Sequence, residues 1–208
     1  MIKLYNSNLS PNCLRVRAVI YELGTAVEIV DVNFMGGDTK KPEYLAMNPH
    51  GKVPVLADGN FFLFESRAIN AYLASLNPEP RLYPADSKTR AVVDQWSYWQ
   101  AIHLGPSSQR LTFERVFKKR LQRGKPDENV IATESKETAK LLRVLDAGLE
   151  ERDWVAGSLS VADFALGSTL FARDAAGIDL GPTPNVSAWI ARLEALPSWR
   201  RAINDMPL

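Results

Sequence analysis

Apolar positions change period from element to element along the first 80 residues. Ile2–Tyr5 is a short apolar strand. Leu14, Val16, Val19, Ile20 and Leu23 then recur on one helical face, and Gly24 supplies a C-terminal stop. Ala26–Val32 alternates as a second strand. Val53–Ala57 and Phe61–Phe64 flank Asp58-Gly59, a turn dipeptide that predicts a tight hairpin. Helical spacing returns over Glu65–Leu76 through Ile69, Tyr72, Leu73 and Leu76. The order β-α-β, loop, β-β-α predicts a small mixed sheet with helices packed on it.

After Asn77-Pro78-Glu79-Pro80 the strand patterns stop and long amphipathic stretches take over. Helices are predicted at Ser87–Leu104, Ser107–Arg123, Asn129–Arg152, Ser160–Ala175, Pro184–Leu196 and Ser198–Asp205. Gly105-Pro106 separates the first two, and Ser160 with Asp163 has capping-box spacing. The fold class is therefore α/β plus all-α. Residues 1–78 form the mixed-sheet domain, 79–86 a linker, and 87–208 the helical domain.

Composition narrows the chemistry. The 208 residues carry 25 basic and 24 acidic side chains, a formal net charge of +1. With 46% hydrophobic residues, disorder is excluded. Charges divide as 7 basic and 8 acidic in residues 1–80, so 18 and 16 follow in 81–208. Neither half is a polyelectrolyte, and no nucleic-acid motif accompanies the basic run Lys118-Lys119-Arg120. The N-terminus lacks the layout of a signal peptide, and no apolar run of about 18 residues predicts a membrane span. One cysteine and two histidines, His50 and His103, leave no basis for a disulfide or a metal centre. A cytoplasmic protein whose reactive group comes from elsewhere is the expectation.

Three segments could receive such a group. Ser10-Pro11 opens a helix in the favoured way, with Ser10 as N-cap and Pro11 at the first helical position. That hydroxyl, beside helix-terminal amides, also suits an anion or a thiolate. Ser7 and Cys13 compete for the role, although Cys13 falls on the apolar side of the helix. Next, Val53-Pro54 can be an edge strand, or a segment whose backbone pairs with a peptide-like ligand. Finally, Glu65-Ser66 lies where a strand becomes a helix. An acid, a hydroxyl and free amides there can hold an amino-acid head group, or merely cap the helix.

Taken together, the segments resemble the cytosolic glutathione transferase family over essentially the whole chain. The stretches FLFESRAINAYL, WVAG-SLSVADF and PNVSAWIARLEALPSWRRA carry the resemblance beside SPNCLRVRAV. Within the family, SPNCLRVRAV and FESRAI are similar to the serine-type phi and phi-like bacterial members. SPNCLRVR also resembles the zeta class. Both place the active-site serine at Ser10, whereas a beta-class alignment places the key position at Ser7.

The resemblance implies a thioredoxin-like N-terminal half that holds glutathione as co-substrate, without a metal. It also implies a helical half that supplies most of the pocket for a hydrophobic electrophile. Val53 would pair through its backbone with the cysteinyl part, before a cis Pro54, and Glu65 and Ser66 would hold the γ-glutamyl group. Lys40 matches a basic residue near the glycyl carboxylate, Lys52 stands where phi members have Gln, and Thr39 where they have His. His50 replaces an aromatic side chain that phi members insert into the partner subunit. The departure falls on that lock, and a homodimer is still expected. Leu9, Phe34, Trp99, His103, Phe113 and Phe117 are the candidates for the electrophile pocket, with the hydrophobic core as their competing role.

The activity implied is conjugation of the glutathione thiolate to small hydrophobic electrophiles, with Ser10 steadying the thiolate. Two alternatives stand beside it. One is a zeta-like glutathione-dependent cis-trans isomerase, against which Glu65 counts, since zeta members carry Gln there. The other is a non-catalytic ligand-binding or docking protein on the same fold. No membrane or nucleic-acid partner is expected.

Overall fold

The computed structural model describes residues 1–77, 79, 81–204 and 206. The chain divides into two units, Met1–Ala85 with Glu194–Leu208, and Asp86–Leu193. In the first, β1 (Ile2–Asn6), α1 (Pro11–Leu23) and β2 (Val27–Asp31) are followed by α2 (Pro42–Met47), β3 (Val55–Asp58), β4 (Phe61–Phe64) and α3 (Ser66–Ser75). The sheet order is β2-β1-β3-β4. β1 and β2 are parallel, with Ile2 opposite Val27, and β3 runs antiparallel to both β1 and β4. Leu4, Val16, Ile20, Leu56, Ile69 and Leu73 form the core, so the periodic faces of α1 and α3 both meet the sheet.

Local chemistry sets the ends of these elements. Gly24, at φ +66, closes α1 by donating its N–H to the carbonyl of Ile20. β3 starts at Val55 rather than at the expected Val53. Pro54 has no N–H to give a ladder, and the pairing begins where Val55 meets Tyr5 and Phe64. The segment before it, expected as loop, contains α2 and a short turn of 3₁₀ helix at Asp38–Lys40.

The second unit carries α4 (Ser87–Trp99), α5 (Gly105–Thr112), α6 (Lys118–Arg120), α7 (Glu128–Gly148), α8 (Val161–Leu170) and most of α9 (Pro184–Ala195). Gly105-Pro106 does not break the helix. A π turn at Gln100–Leu104 joins α4 to α5 directly, and the Gly105 N–H reaches back five residues to the carbonyl of Gln100. A Cβ at Gly105 would stand 2.7 Å from that oxygen, so glycine permits the wider turn and Pro106 then needs no partner for a missing N–H. A second π turn at Phe113–Phe117 leads into α6.

Every residue of α8 is buried, and the Trp96 ring of α4 lies against Gly148 of α7, where a Cβ would overlap it. Gly148→Ala is expected to lower stability by about 1–3 kcal/mol, the usual effect of overpacking. A reduced urea midpoint with an unchanged slope is the measurement that checks it.

The helical domain expected at 87–208 loses its last segment. α10 (Pro197–Asn204) belongs to the first unit. It packs on α1, where buried Arg17 donates from Nη2 to the carbonyl of Ala202 at 2.9 Å and Ser198 Oγ donates to Glu22 at 2.6 Å. The Arg201 guanidinium lies 4.0 Å over the Tyr21 ring. These polar contacts reach across more than 170 residues, which helical spacing does not reveal. The expected boundary at Pro78 and the helix end at Asp205 lie outside the described residues.

Candidate active site

α1 and α3 both begin at the end of the sheet where β1 and β4 finish. Ser10 caps α1 as its sequence predicts, with φ −101, ψ 118, and its Oγ accepts from the Cys13 N–H at 3.4 Å. That bond uses an oxygen lone pair. The hydroxyl proton of this half-buried side chain is committed to no other group among the described residues.

Ser7 is 7% exposed, and its N–H donates to Cys13 Sγ at 3.4 Å. Cys13 itself is fully buried, and burial pushes its thiol up to about 11. It is a protonated packing residue at neutral pH, so of the three candidates in this segment Ser10 is the most open hydroxyl.

A cavity of about 200 Å³ is lined by Asn12, Asn48, His50, Lys52, Val53, Pro54, Glu65, Ser66 and Arg67; of the α1 start it touches Asn12 and not Ser10 itself. It thus brings together five of the predicted residues, Lys52, Val53, Pro54, Glu65 and Ser66. The Val53–Pro54 peptide is cis. Among the described residues, no hydrogen bond engages the backbone N–H or C=O of Val53. The carbonyl of Lys52 before it is held twice, by Tyr44 Oη at 2.9 Å and by Asn48 Nδ2 at 2.8 Å.

Glu65 occupies the left-handed region at φ +70, ψ 106, a conformation costing a non-glycine residue on the order of 1–3 kcal/mol. Its exposed carboxylate stands at the cavity rim, while Ser66 behind it is buried and begins α3. The first-turn amides of α3 have no acceptor within the helix. Ser66 Oγ accepts from Arg15 Nη1 at 3.3 Å, which places a buried guanidinium behind the helix start. Burial, then the charge of Arg67, pulls Arg15 down from the ordinary arginine range, and Glu65 acts against the shift. Burial likewise lowers Arg67, again opposed by Glu65. The floor is therefore a positive environment whose charge is costly until an anion arrives.

Lys40 does not line the cavity, but its Nζ lies over Gly51, 3.1 Å from where a Cβ would stand. Leu9 and Phe34 are exposed in the first unit. In the second, Trp99 and His103 lie one turn apart with ring centroids 6.3 Å apart, and Phe113 and Phe117 are half-buried on the second π turn. Sequence reasoning missed Asn12, Asn48, Arg15 and Arg67. The only local signal was their adjacency to Ser10, the Val53 segment and Ser66.

Among the described residues, no three His, Cys, Asp or Glu side chains gather as metal ligands. No described helix is long and apolar enough to cross a membrane.

Two family models match, the glutathione S-transferase N-terminal domain over residues 1–75 and the C-terminal domain over 104–197. Glutathione S-transferase 3 of Zea mays is 36% identical, the match covering 100% of this chain and 95% of that protein. Among solved structures, glutathione S-transferase I bound with lactoylglutathione superposes with a TM-score of 0.90 at 34% identity, covering 99% of each chain. The maize glutathione S-transferase I complex with an atrazine–glutathione conjugate gives the same TM-score and identity, with coverage of 99% and 97%. A cavity lined by a helix start and a free backbone edge thus occurs in a chain matched along nearly its whole length, and the chain belongs to the glutathione S-transferase family, of the phi-like kind.

Proposed function

We propose that this glutathione transferase conjugates the thiolate of glutathione to small hydrophobic electrophiles, with Ser10 as the catalytic residue that donates its hydroxyl proton to the sulfur. The observation that carries the reading is the placement of Glu65 and Ser66 at one end of a cavity whose wall is the unpaired backbone of Val53. Glu65 takes the γ-glutamyl ammonium. Ser66 and the α3 amides take the neighbouring carboxylate, over the positive floor of Arg15 and Arg67. The cysteinyl part pairs with Val53 in the manner of an added strand. This brings its sulfur towards the start of α1, where Ser10 and Asn12 stand.

The maize enzyme captured with an atrazine conjugate supports an apolar electrophile as the second substrate. Leu9 and Phe34 offer exposed apolar surface for one in the first unit. The reading includes a homodimer in the cytoplasm. Phe61 and Phe62 on the edge strand β4 are 48% and 43% exposed, an apolar edge of the kind a second copy covers.

Retention on glutathione resin followed by turnover of a generic aryl halide tests the activity, and retention without turnover of any electrophile would leave a binding protein instead. Glu65→Ala tests the orientation. Removing one partner of a charge-assisted pair should raise KM for glutathione roughly tenfold or more, with a smaller effect on kcat. An unchanged KM would remove Glu65 from the γ-glutamyl site.

A further inference from the structure

Two helices carry the ends of the proposed glutathione seat, with Ser10 opening α1 and Ser66 opening α3. Both rest on the sheet of the first unit, where Val16 and Ile20 of α1 share one core with Ile69 and Leu73 of α3. Hydrophobic burial draws such helices together, but it is non-directional and sets their sliding past one another only loosely. A fixed spacing between Ser10 and Ser66 needs directional bonds from helix to helix.

Two bonds of that kind meet at Arg15, five residues and about 7.5 Å along α1 from Ser10. Its Nη1 donates to Ser66 Oγ at 3.3 Å, and its carbonyl oxygen accepts from Asn70 Nδ2 at 3.3 Å. Ser66 and Asn70 are four residues apart and so lie on one face of α3. Successive turns of α3 thus hold the side chain and the backbone of a single residue of α1.

The second bond has a cost to the fold. Asn70 is 1% exposed, and its Oδ1 has no hydrogen-bond partner among the described residues. The amide nitrogen faces a carbonyl, so the oxygen is the atom left over, and a buried acceptor without a donor is destabilising. The Arg15 carbonyl does not need the amide, because an interior carbonyl of α1 is already served by the helix's own ladder. Leu73, one turn on, is fully buried among aliphatic side chains. Stability alone would therefore favour an aliphatic side chain at position 70.

We infer that Asn70 is a positioning residue for the transfer reaction: its bond to the Arg15 carbonyl fixes the register of α1 against α3, so that a tripeptide held at Ser66 has its sulfur at Ser10. The inference rests on the glutathione reading above and adds to it the residue that matches the two ends of the seat. Asn70 is absent from the cavity wall, so it acts through α1 and not on the ligand. Its removal leaves Glu65, Ser66 and the Arg15 guanidinium in place, and binding persists while the hydroxyl at the sulfur end is displaced.

The test measures thermal unfolding and initial rates with an aryl halide for Asn70→Leu, Asn70→Gln, Ser10→Ala, Glu65→Ala and the double variant Ser10→Ala/Asn70→Leu. Asn70→Leu is expected to raise Tm by about 2–4 °C, since apolar volume replaces an unpaired buried acceptor. Its kcat should fall roughly three- to fivefold, with the glutathione KM within about twofold of wild type. Asn70→Gln, which keeps the amide donor, should recover most of the rate. In the Ser10→Ala background, Asn70→Leu should change kcat by less than about twofold, because the hydroxyl it places is gone.

A lowered Tm or a failure to fold in Asn70→Leu would overturn the inference and make the amide a structural bond. An unchanged kcat would overturn it too, as would a full effect in the Ser10→Ala background, no recovery in a stably folded Asn70→Gln, or a rise in KM as large as the fall in kcat. The glutathione reading survives each of these if Glu65→Ala raises the glutathione KM and Ser10→Ala slows turnover. Wild-type behaviour of both those variants removes that reading, and the role of Asn70 with it.

Discussion

Ser10→Ala is expected to slow conjugation of an aryl halide by at least about five- to eightfold at pH 6.5, and to move the acid limb of kcat upward by about two pH units. A free thiol of this kind ionises near 8.5, which leaves only a few per cent thiolate at neutral pH. If the Ser10 hydroxyl and the amides of α1 lower that value by ~2 units, about half is thiolate at pH 6.5, and about 1% in their absence. The ~50-fold loss in ionised sulfur is offset in part. A more basic thiolate is more nucleophilic by ~6- to 10-fold over the same interval, at a Brønsted slope of ~0.4–0.5. Misplacement of the sulfur adds to what remains, since orientation against the electrophile contributes more than ionisation does.

Retention on glutathione resin should survive, because in the proposed arrangement Glu65, Ser66 and Val53 hold the tripeptide without Ser10. Neither neighbour can take over. Cys13, with its thiol pushed up to about 11, stays protonated, and Ser7 is buried behind it. Ser7→Ala should therefore leave the kcat profile in place. A normal profile in Ser10→Ala together with a displaced one in Ser7→Ala would transfer the role to Ser7.

Much of this arrangement was legible because it is written in short-range signals. Asp58-Gly59 between two apolar runs announces the hairpin, and Ser10-Pro11 announces the start of α1. The three candidate segments follow from these, since each falls where a strand hands over to a helix or turn. What the sequence hid depends on partners far along the chain. Arg15 and Arg17 lie among the apolar positions of α1, and both are buried. Arg15 reaches Ser66, 51 residues on, and Arg17 reaches Ala202, 185 residues on. The same long-range bonds move α10 out of the helical unit.

Gly105-Pro106 misled in the opposite way. A breaker dipeptide is a sound local signal, but a π turn can absorb it when glycine lets the carbonyl of Gln100 approach. α2 escaped because six residues are too few to establish a period. Asn48 carries no pattern at all, although it fixes the backbone on both sides of Gly51.

Asp163→Ala should be the most destabilising single change in the helical unit, lowering Tm by about 6–12 °C at neutral pH. Ser160 and Asp163 form the predicted capping box, with the Ser160 N–H and Oγ each donating to Asp163 at 2.9 Å. Two further donors converge on the other carboxylate oxygen, the Val155 N–H at 3.2 Å and Trp189 Nε1 at 2.9 Å. The side chain therefore ties the start of α8 to the preceding loop and to α9. Alanine leaves all four donors buried without their acceptor, at ~1–2 kcal/mol each.

Against that loss stands the cost of the charge itself. Burial pushes Asp163 up to about 6 in spite of the four donors. Relative to an unfolded aspartate near 3.9, the ionised form then costs about 3 kcal/mol at neutral pH. Alanine removes this cost, so a net loss of about 3 kcal/mol remains, worth ~2–4 °C per kcal/mol in a chain of this size.

The sign of the pH dependence follows from the raised value. The folded protein binds a proton there that the unfolded chain has already released. Its contribution is fully present below about 3.9 and is lost as pH rises through about 6. Wild type gives up about 1.4 kcal/mol of this between pH 5 and pH 7.5, and Asp163→Ala gives up none. The difference between the two proteins in urea unfolding, followed by tryptophan fluorescence, should accordingly be about 1.4 kcal/mol larger at pH 5 than at pH 7.5. A difference that instead grew with pH would mean that the donors outweigh burial and that the carboxylate is the form the fold prefers.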